Sequence, residues 1–260
     1  MIFDTHCHLN SEDLYEYADE LIESARKKGV SAIMVPGYDY DSCLKVFELI
    51  KKNHIYGAIG LQPEEIFKTN FEDFFPLFAK AKSENKIKAI GEIGLDYYWE
   101  KDEKKREKQR EIFIKQIQIA NEMHLPIIVH SREAINDTYK ILKEHKPLCG
   151  GIMHCYSGPA EMVKQFTDVG MYISLGGPVT FKNAKTPKEV AKIVSIDNLL
   201  VETDAPYLAP HPLRGTQNKP ENIVLVLKII EEIRQCPFEY ICEQTYKNAC
   251  KIFGIEYEEN

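Results

Sequence analysis

Four histidines and two acids close short apolar runs in this sequence, and their chemistry suits divalent metal ions. Ile2-Phe3 leads into Asp4-Thr5-His6-Cys7-His8, and on an extended chain His6 and His8 share a face while Cys7 points the other way. Two imidazoles so spaced can chelate one ion. Glu92 stands among apolar neighbours in Lys88-Ala89-Ile90-Gly91-Glu92-Ile93-Gly94, where a carboxylate needs a partner, and a metal ion is one. Ile127-Ile128-Val129 ends in His130, and Ile152-Met153 ends in His154. Leu199-Leu200-Val201 runs into Glu202-Thr203-Asp204, whose two carboxylates share a face. Nitrogen and oxygen ligands of this kind suit Zn²⁺, Mn²⁺, Fe²⁺ or Ni²⁺, and Mg²⁺ if weakly held. Six exceed the needs of one hydrolytic ion with an open position, but they suit two ions ~3.5–4 Å apart with one carboxylate between them. On this reading His6, His8 and Asp204 hold one ion, His130 and His154 the other, and Glu92 bridges. Such ions acidify a water into a nucleophile, which Asp204 orients or relieves of its proton.

Residues scattered over 200 positions converge only if the fold gathers them. Eight apolar runs recur: Ile2 to His6, Ala32 to Pro36, Tyr56 to Leu61, Lys88 to Ile93, Pro126 to His130, Gly151 to His154, Met171 to Leu175 and Leu199 to Glu202. Stretches of helical period separate them. The first, with Leu14, Tyr17, Ala18, Leu21, Ile22 and Ala25 on one stripe, is ended by Gly29. Thr186-Pro187-Lys188-Glu189 has the pattern of a capping box, and Asn222 to Phe253 supplies one or two closing helices. Eight βα units in 260 residues without a linker predict one α/β domain over 1–260, a (β/α)₈ TIM barrel. The active site of such a barrel lies at the carboxyl ends of the strands, where the six ligands stand.

Composition narrows the function. The 33 Lys and Arg against 40 Asp and Glu leave a net charge of -7, which excludes a surface built throughout to clamp a polyanion. Nucleic-acid contact must then be local or carried by metal ions. No apolar run approaches the ~18 residues of a membrane helix, and MIFDTHCHLNSED lacks the marks of a signal peptide. Seven cysteines without a C-x-x-C pair read as reduced, buried thiols in a cytoplasmic protein. His54, His124 and His145 fall near predicted helix C-termini and are given no chemistry, while His211 follows the eighth run on the active side.

The motifs together resemble the TatD family of metal-dependent deoxyribonucleases, among the amidohydrolase-like barrels. They are D-x-H-x-H from Asp4, G-E-I-G-L-D-Y-Y from Gly91, P-I-I-V-H-S-R from Pro126, H-C-Y-S-G from His154 and E-T-D-A-P from Glu202. L-A-P-H-P-L-R-G-T-Q-N-K-P from Leu208 and N-A-C-K-I-F-G from Asn248 extend the likeness over nearly the whole chain. The resemblance implies a two-metal hydrolase with the same six ligands, trimming DNA or RNA from the 3′ end. One position departs: Gly60-Leu61-Gln62-Pro63 carries Gln62 where the family commonly has histidine, which predicts altered substrate contacts and an intact metal site.

Around the ligands, Arg132 and Arg214 can clamp phosphate oxygens or serve in structural ion pairs. Tyr97, Tyr98 and Trp99 can stack a base or pack their own loop. Lys101 to Arg110, six bases against three acids, reads as a solvated helix start rather than a backbone-tracking patch. The leading expectation is a cytoplasmic phosphodiesterase that uses two Zn²⁺, Mn²⁺ or Mg²⁺ ions on nucleic-acid ends, with no obligate protein partner and no membrane. An amidohydrolase or esterase acting on a small metabolite or an aminoacyl-tRNA ester is the rival enzyme, although such barrels often bridge their metals with a carbamylated lysine. A metal-binding protein without turnover is the rival from another class.

Overall fold

Strands buried on both faces must be apolar along their whole length, and the eight runs meet that condition. The computed structural model describes residues 1–257. Its strands are β1 (Ile2–Asp4), β2 (Val30–Pro36), β3 (Ile55–Ile59), β4 (Ile87–Asp96), β5 (Ile127–Arg132), β6 (Gly151–Met153), β7 (Met171–Leu175) and β8 (Leu199–Val201). All pair in parallel, in sequence order. Helices α1 (Ala18–Lys27), α2 (Tyr40–Leu49), α3 (Phe75–Ala81), α4 (Glu103–Met123), α5 (Ile135–Glu144), α6 (Val163–Asp168) and α7 (Lys185–Ile193) alternate with them, and α8 (Ile223–Arg234) and α9 (Phe238–Phe253) follow. The expected (β/α)₈ TIM barrel is the fold. No described helix is long and apolar enough to cross a membrane.

Two layers of buried side chains follow from strand alternation. Ile33, Val35, Ile90, Ile93, Ile127, Val129, Leu199 and Val201 pack against the surrounding helices. Phe3, Met34, Ala89, Ile128, Ile152 and Leu200 form a second group, into which α9 presses Tyr246, Ala249, Cys250 and Phe253. The seam between β8 and β1 is closed by local bonds. Thr5 N donates to Val201 O at 3.1 Å and Asp204 N to His6 O at 2.9 Å. The buried Asp4 carboxylate accepts from Thr203 N at 2.9 Å and Thr203 Oγ1 at 2.5 Å.

Local expectations needed three corrections. β1 stops at Asp4, so His6 and His8 lie beyond the strand. Tyr15–Tyr17 form a 3₁₀ turn before α1, which rotates Tyr17 off the apolar stripe and leaves it 57% exposed. The proposed capping box fails because α7 begins at Lys185 with Ala184 as its cap; Pro187 sits inside the first turn, where a missing N–H costs nothing. His124 and His145 do cap the C-termini of α4 and α5.

Candidate metal centre

Inward-facing residues of the strands climb directly into the site. Ile128 lies in the inner layer and His130 two residues later faces the mouth; Ile152 and His154 repeat the relation, as do Leu200 and Glu202. Glu92 arrives differently. Ile90 pairs with Ile127 and Ile93 with Val129, so three steps on β4 oppose two on β5. This bulge leaves Ile90 and Ile93 both in the outer layer and swings Glu92 inward. Gly94 lets the strands approach there, since a Cβ on it would lie 2.0 Å from His130 O. Asp204 is itself left-handed, φ 55°, in the turn after β8.

The six predicted ligand residues come together. His6 Nε2 and His8 Nε2 lie 3.1 Å apart. Glu92 Oε2 is 3.5 and 3.6 Å from them, and Asp204 Oδ1 is 3.8 and 3.5 Å from them. Four ligands at tetrahedral zinc distances of about 2.0–2.1 Å stand about 3.4 Å from one another, so this cage fits such an ion. The other oxygen, Glu92 Oε1, faces His130 Nδ1 at 2.9 Å and His154 Nε2 at 3.4 Å. One carboxylate thus addresses two separate histidine pairs. Cys7, between His6 and His8, is fully buried in the outer layer.

Carboxylates behind the histidines aim their rings. Glu202 Oε1 accepts from His154 Nδ1 at 3.1 Å and from Cys155 N at 2.8 Å. The two acids after β8 therefore occupy different depths, Glu202 beneath His154 and Asp204 facing His6 and His8. Asp96 Oδ2 lies 2.9 Å from His130 Nε2. Sequence reasoning gave Asp96 no role, although it falls on the face of Glu92 and Gly94 at strand period two, which was the available signal.

Charge follows from this packing. Burial opposes ionisation of Glu92, but His154, with bonds from His130, His154 and His6, holds its carboxyl well below the usual range. Burial likewise opposes the charged form of His130, yet Asp96 and Glu92 raise it to about 9. For His154, burial is outweighed by Glu202 and Glu92, which lift it well above the ordinary imidazole value. Without an ion, both rings carry protons at pH 7 that a metal must displace. Ion binding is therefore expected to release protons at pH 7, with apparent affinity rising as pH approaches 9. Calorimetry in buffers of different ionisation enthalpy checks this, and binding without proton release contradicts it.

A cavity of about 590 Å³ opens above the ligands and includes Gln62, Glu64, Asp96, Trp99, Arg132 and Tyr207 in its lining. Arg132 is exposed, lies 3.8 Å over the Tyr98 ring and makes no ion pair among the described residues. Trp99 is 64% exposed at the rim. Tyr97 is not brought to the cavity: its ring is buried under Arg106, and its hydroxyl donates to Asp137 Oδ2 at 2.7 Å. Arg214 rests over Phe181, and neither it nor His211 is among the lining residues. The basic run from Lys101 opens α4 behind its Asp102 cap, with Arg110 paired to Glu103 and Asp137.

Known proteins resemble this chain over nearly its whole length. The family model described as TatD related DNase matches residues 3–254. An uncharacterized metal-dependent hydrolase of Bacillus subtilis (strain 168), YabD, is 43% identical over 257 residues, covering 98% of this chain and 100% of its own. The Escherichia coli (strain K12) protein YcfH, also described as an uncharacterized metal-dependent hydrolase, is 36% identical over 266 residues, covering 98% and 96%. Among solved structures, YJJV, a TatD homolog from E. coli K12, superposes with a TM-score of 0.92 at 28% identity over 98% of both chains. Matched by the family model over residues 3–254, the chain belongs to the TatD family, whose matched relatives are described as metal-dependent hydrolases.

Proposed function

We propose that this chain is a two-metal phosphodiesterase that trims DNA, and RNA by the same chemistry, from the 3′ end. The observation that carries the hydrolytic part is Glu92, whose two oxygens face two separate histidine pairs. His6, His8 and Asp204 would hold one divalent ion, His130 and His154 the other, with Glu92 between. Bound there, such ions would supply Lewis acidity toward a water and toward the scissile group. Asp204, fixed against His6 and His8, accepts the proton that the water loses. Glu202 and Asp96 keep His154 and His130 turned toward the centre.

The substrate half of the reading rests on the mouth and on the family description. At the cavity wall Arg132 offers a guanidinium that makes no ion pair among the described residues, and Trp99 offers an exposed ring at its rim for a terminal base. A frayed or single-stranded end enters such a mouth with little unpairing cost. Arg132→Ala is expected to raise KM for single-stranded DNA by about 10-fold, as loss of a charge-assisted contact would, with metal content unchanged. Steady-state kinetics beside elemental analysis checks it; an unchanged KM removes Arg132 from the substrate site. Seven free thiols suit a reducing, cytoplasmic setting.

A second reading draws on Glu64, part-buried on the same wall, whose carboxyl is raised by burial and by Asp96. An acid there suits a substrate with an amino group, such as an aminoacyl ester. The deciding experiment sets metal-free protein with Mg²⁺, Mn²⁺ or Zn²⁺ against end-labelled DNA and RNA with free or blocked 3′ ends, and against small amides and aminoacyl esters. Metal-dependent release of mononucleotides from free 3′ ends is expected. Brisk ester or amide turnover without nucleic-acid cleavage overturns the phosphodiesterase reading.

A further inference from the structure

Asp96 divides its carboxylate between two parts of the mouth. Oδ2 meets the outer nitrogen of His130 at 2.9 Å, while Oδ1 accepts from the backbone N–H groups of Tyr98 at 2.9 Å and Trp99 at 3.0 Å. The residue is 1% exposed, and its own N–H donates to Gln109 Oε1 on α4 at 3.0 Å, so it has little freedom to follow one partner without the other. The turn it holds is the rim. Tyr98 and Trp99 pack edge to face at 4.7 Å, with Tyr98 40% exposed under the Arg132 guanidinium and Trp99 64% exposed, so burial holds the Trp99 side of that turn least.

We propose that Asp96 is a positioning residue that links loading of the metal centre to ordering of the Tyr98–Trp99 rim; this rests on His130 being a metal ligand. His130 Nε2 already meets Asp96 Oδ2 at 2.9 Å, and an ion on Nδ1 would keep the ring proton on Nε2 and fix the ring against that carboxylate. The ring then sets the plane of the carboxylate, and that plane sets Oδ1 beneath the two amides. The relation is reciprocal, since whatever displaces the rim turn also loosens the hold on His130. A substrate that leans on Trp99 is thereby offered a more firmly held platform by loaded protein.

The test uses full-length protein stripped by chelation and titrated with Zn²⁺. Affinity is read by competition with a chromophoric chelator, and amide exchange by mass spectrometry on a peptide spanning residues 97–102. In the wild type, Zn²⁺ is expected to slow exchange of the Tyr98 and Trp99 amides by about 10-fold, within the usual range of coupling between sites. Asp96→Asn keeps one oxygen for those amides, so metal-free exchange should stay near wild type. Its Zn²⁺ affinity should fall by about 10–100-fold, as for loss of an outer partner, and the Zn²⁺-induced slowing should disappear. Asp96→Ala should lose both effects, and the Asn variant decides the matter if Ala does not fold. Zn²⁺ binding with no change in rim exchange, or wild-type affinity and slowing in Asp96→Asn, overturns the linkage while leaving the metal reading intact. Absence of Zn²⁺ binding to the wild type overturns both.

Discussion

Alanine at position 92 is expected to empty both halves of the centre, whereas alanine at position 130 should empty mainly one. Glu92 is the only residue whose two donor atoms face different histidine pairs among the described residues, with Oε2 toward His6 and His8 and Oε1 toward His130 and His154. Its removal also takes away the buried negative charge that those rings surround. Affinity for both ions should therefore fall by more than the about 10–100-fold that loss of an outer partner causes. Elemental analysis after reconstitution with Mn²⁺ or Zn²⁺ and gel filtration gives the ratio directly. Retention of two ions by Glu92→Ala would show that it does not bridge.

Asp204→Asn separates holding an ion from moving a proton. Burial disfavours the charged carboxylate, but the His8 bond and the neighbouring His154 and His6 hold its pKa below the ordinary range. It is thus ionised at neutral pH and able to accept. The amide keeps the shape and an oxygen donor but cannot take a proton, so turnover should fall by about 10² or more if Asp204 is the base. Metal content measured on the same sample assigns the loss to chemistry or to occupancy. Turnover near wild type in a fully loaded variant removes the base role.

Much of this site could be read from period and type alone. His130 and His154 each stand two residues beyond an inner-layer isoleucine, so strand alternation aimed them correctly. The chain beyond β1 also brought His6 and His8 together, although the strand that justified the expectation ends earlier. Three features lay out of reach for physical reasons. The β4 bulge depends on pairing with β5, which no local pattern displays. The depth difference between Glu202 and Asp204 comes from a left-handed turn at a non-glycine residue. Tyr97 turned inward because Asp137, forty positions away, offered its hydroxyl a partner. Tertiary context decided each of them.

The bonds across the β8–β1 seam have a consequence for how the protein matures. Thr203 and Asp4 are 199 positions apart in sequence, and the turn they fasten carries Asp204 to His6 and His8. No segment released early from the ribosome contains both sides of the cage. Loop closure over such a separation comes late, after the local βα units have collapsed. The nascent chain therefore carries His6 and His8 through most of its synthesis without the Asp204 that faces them, and that side of the candidate cage is assembled only when the first strand meets the last.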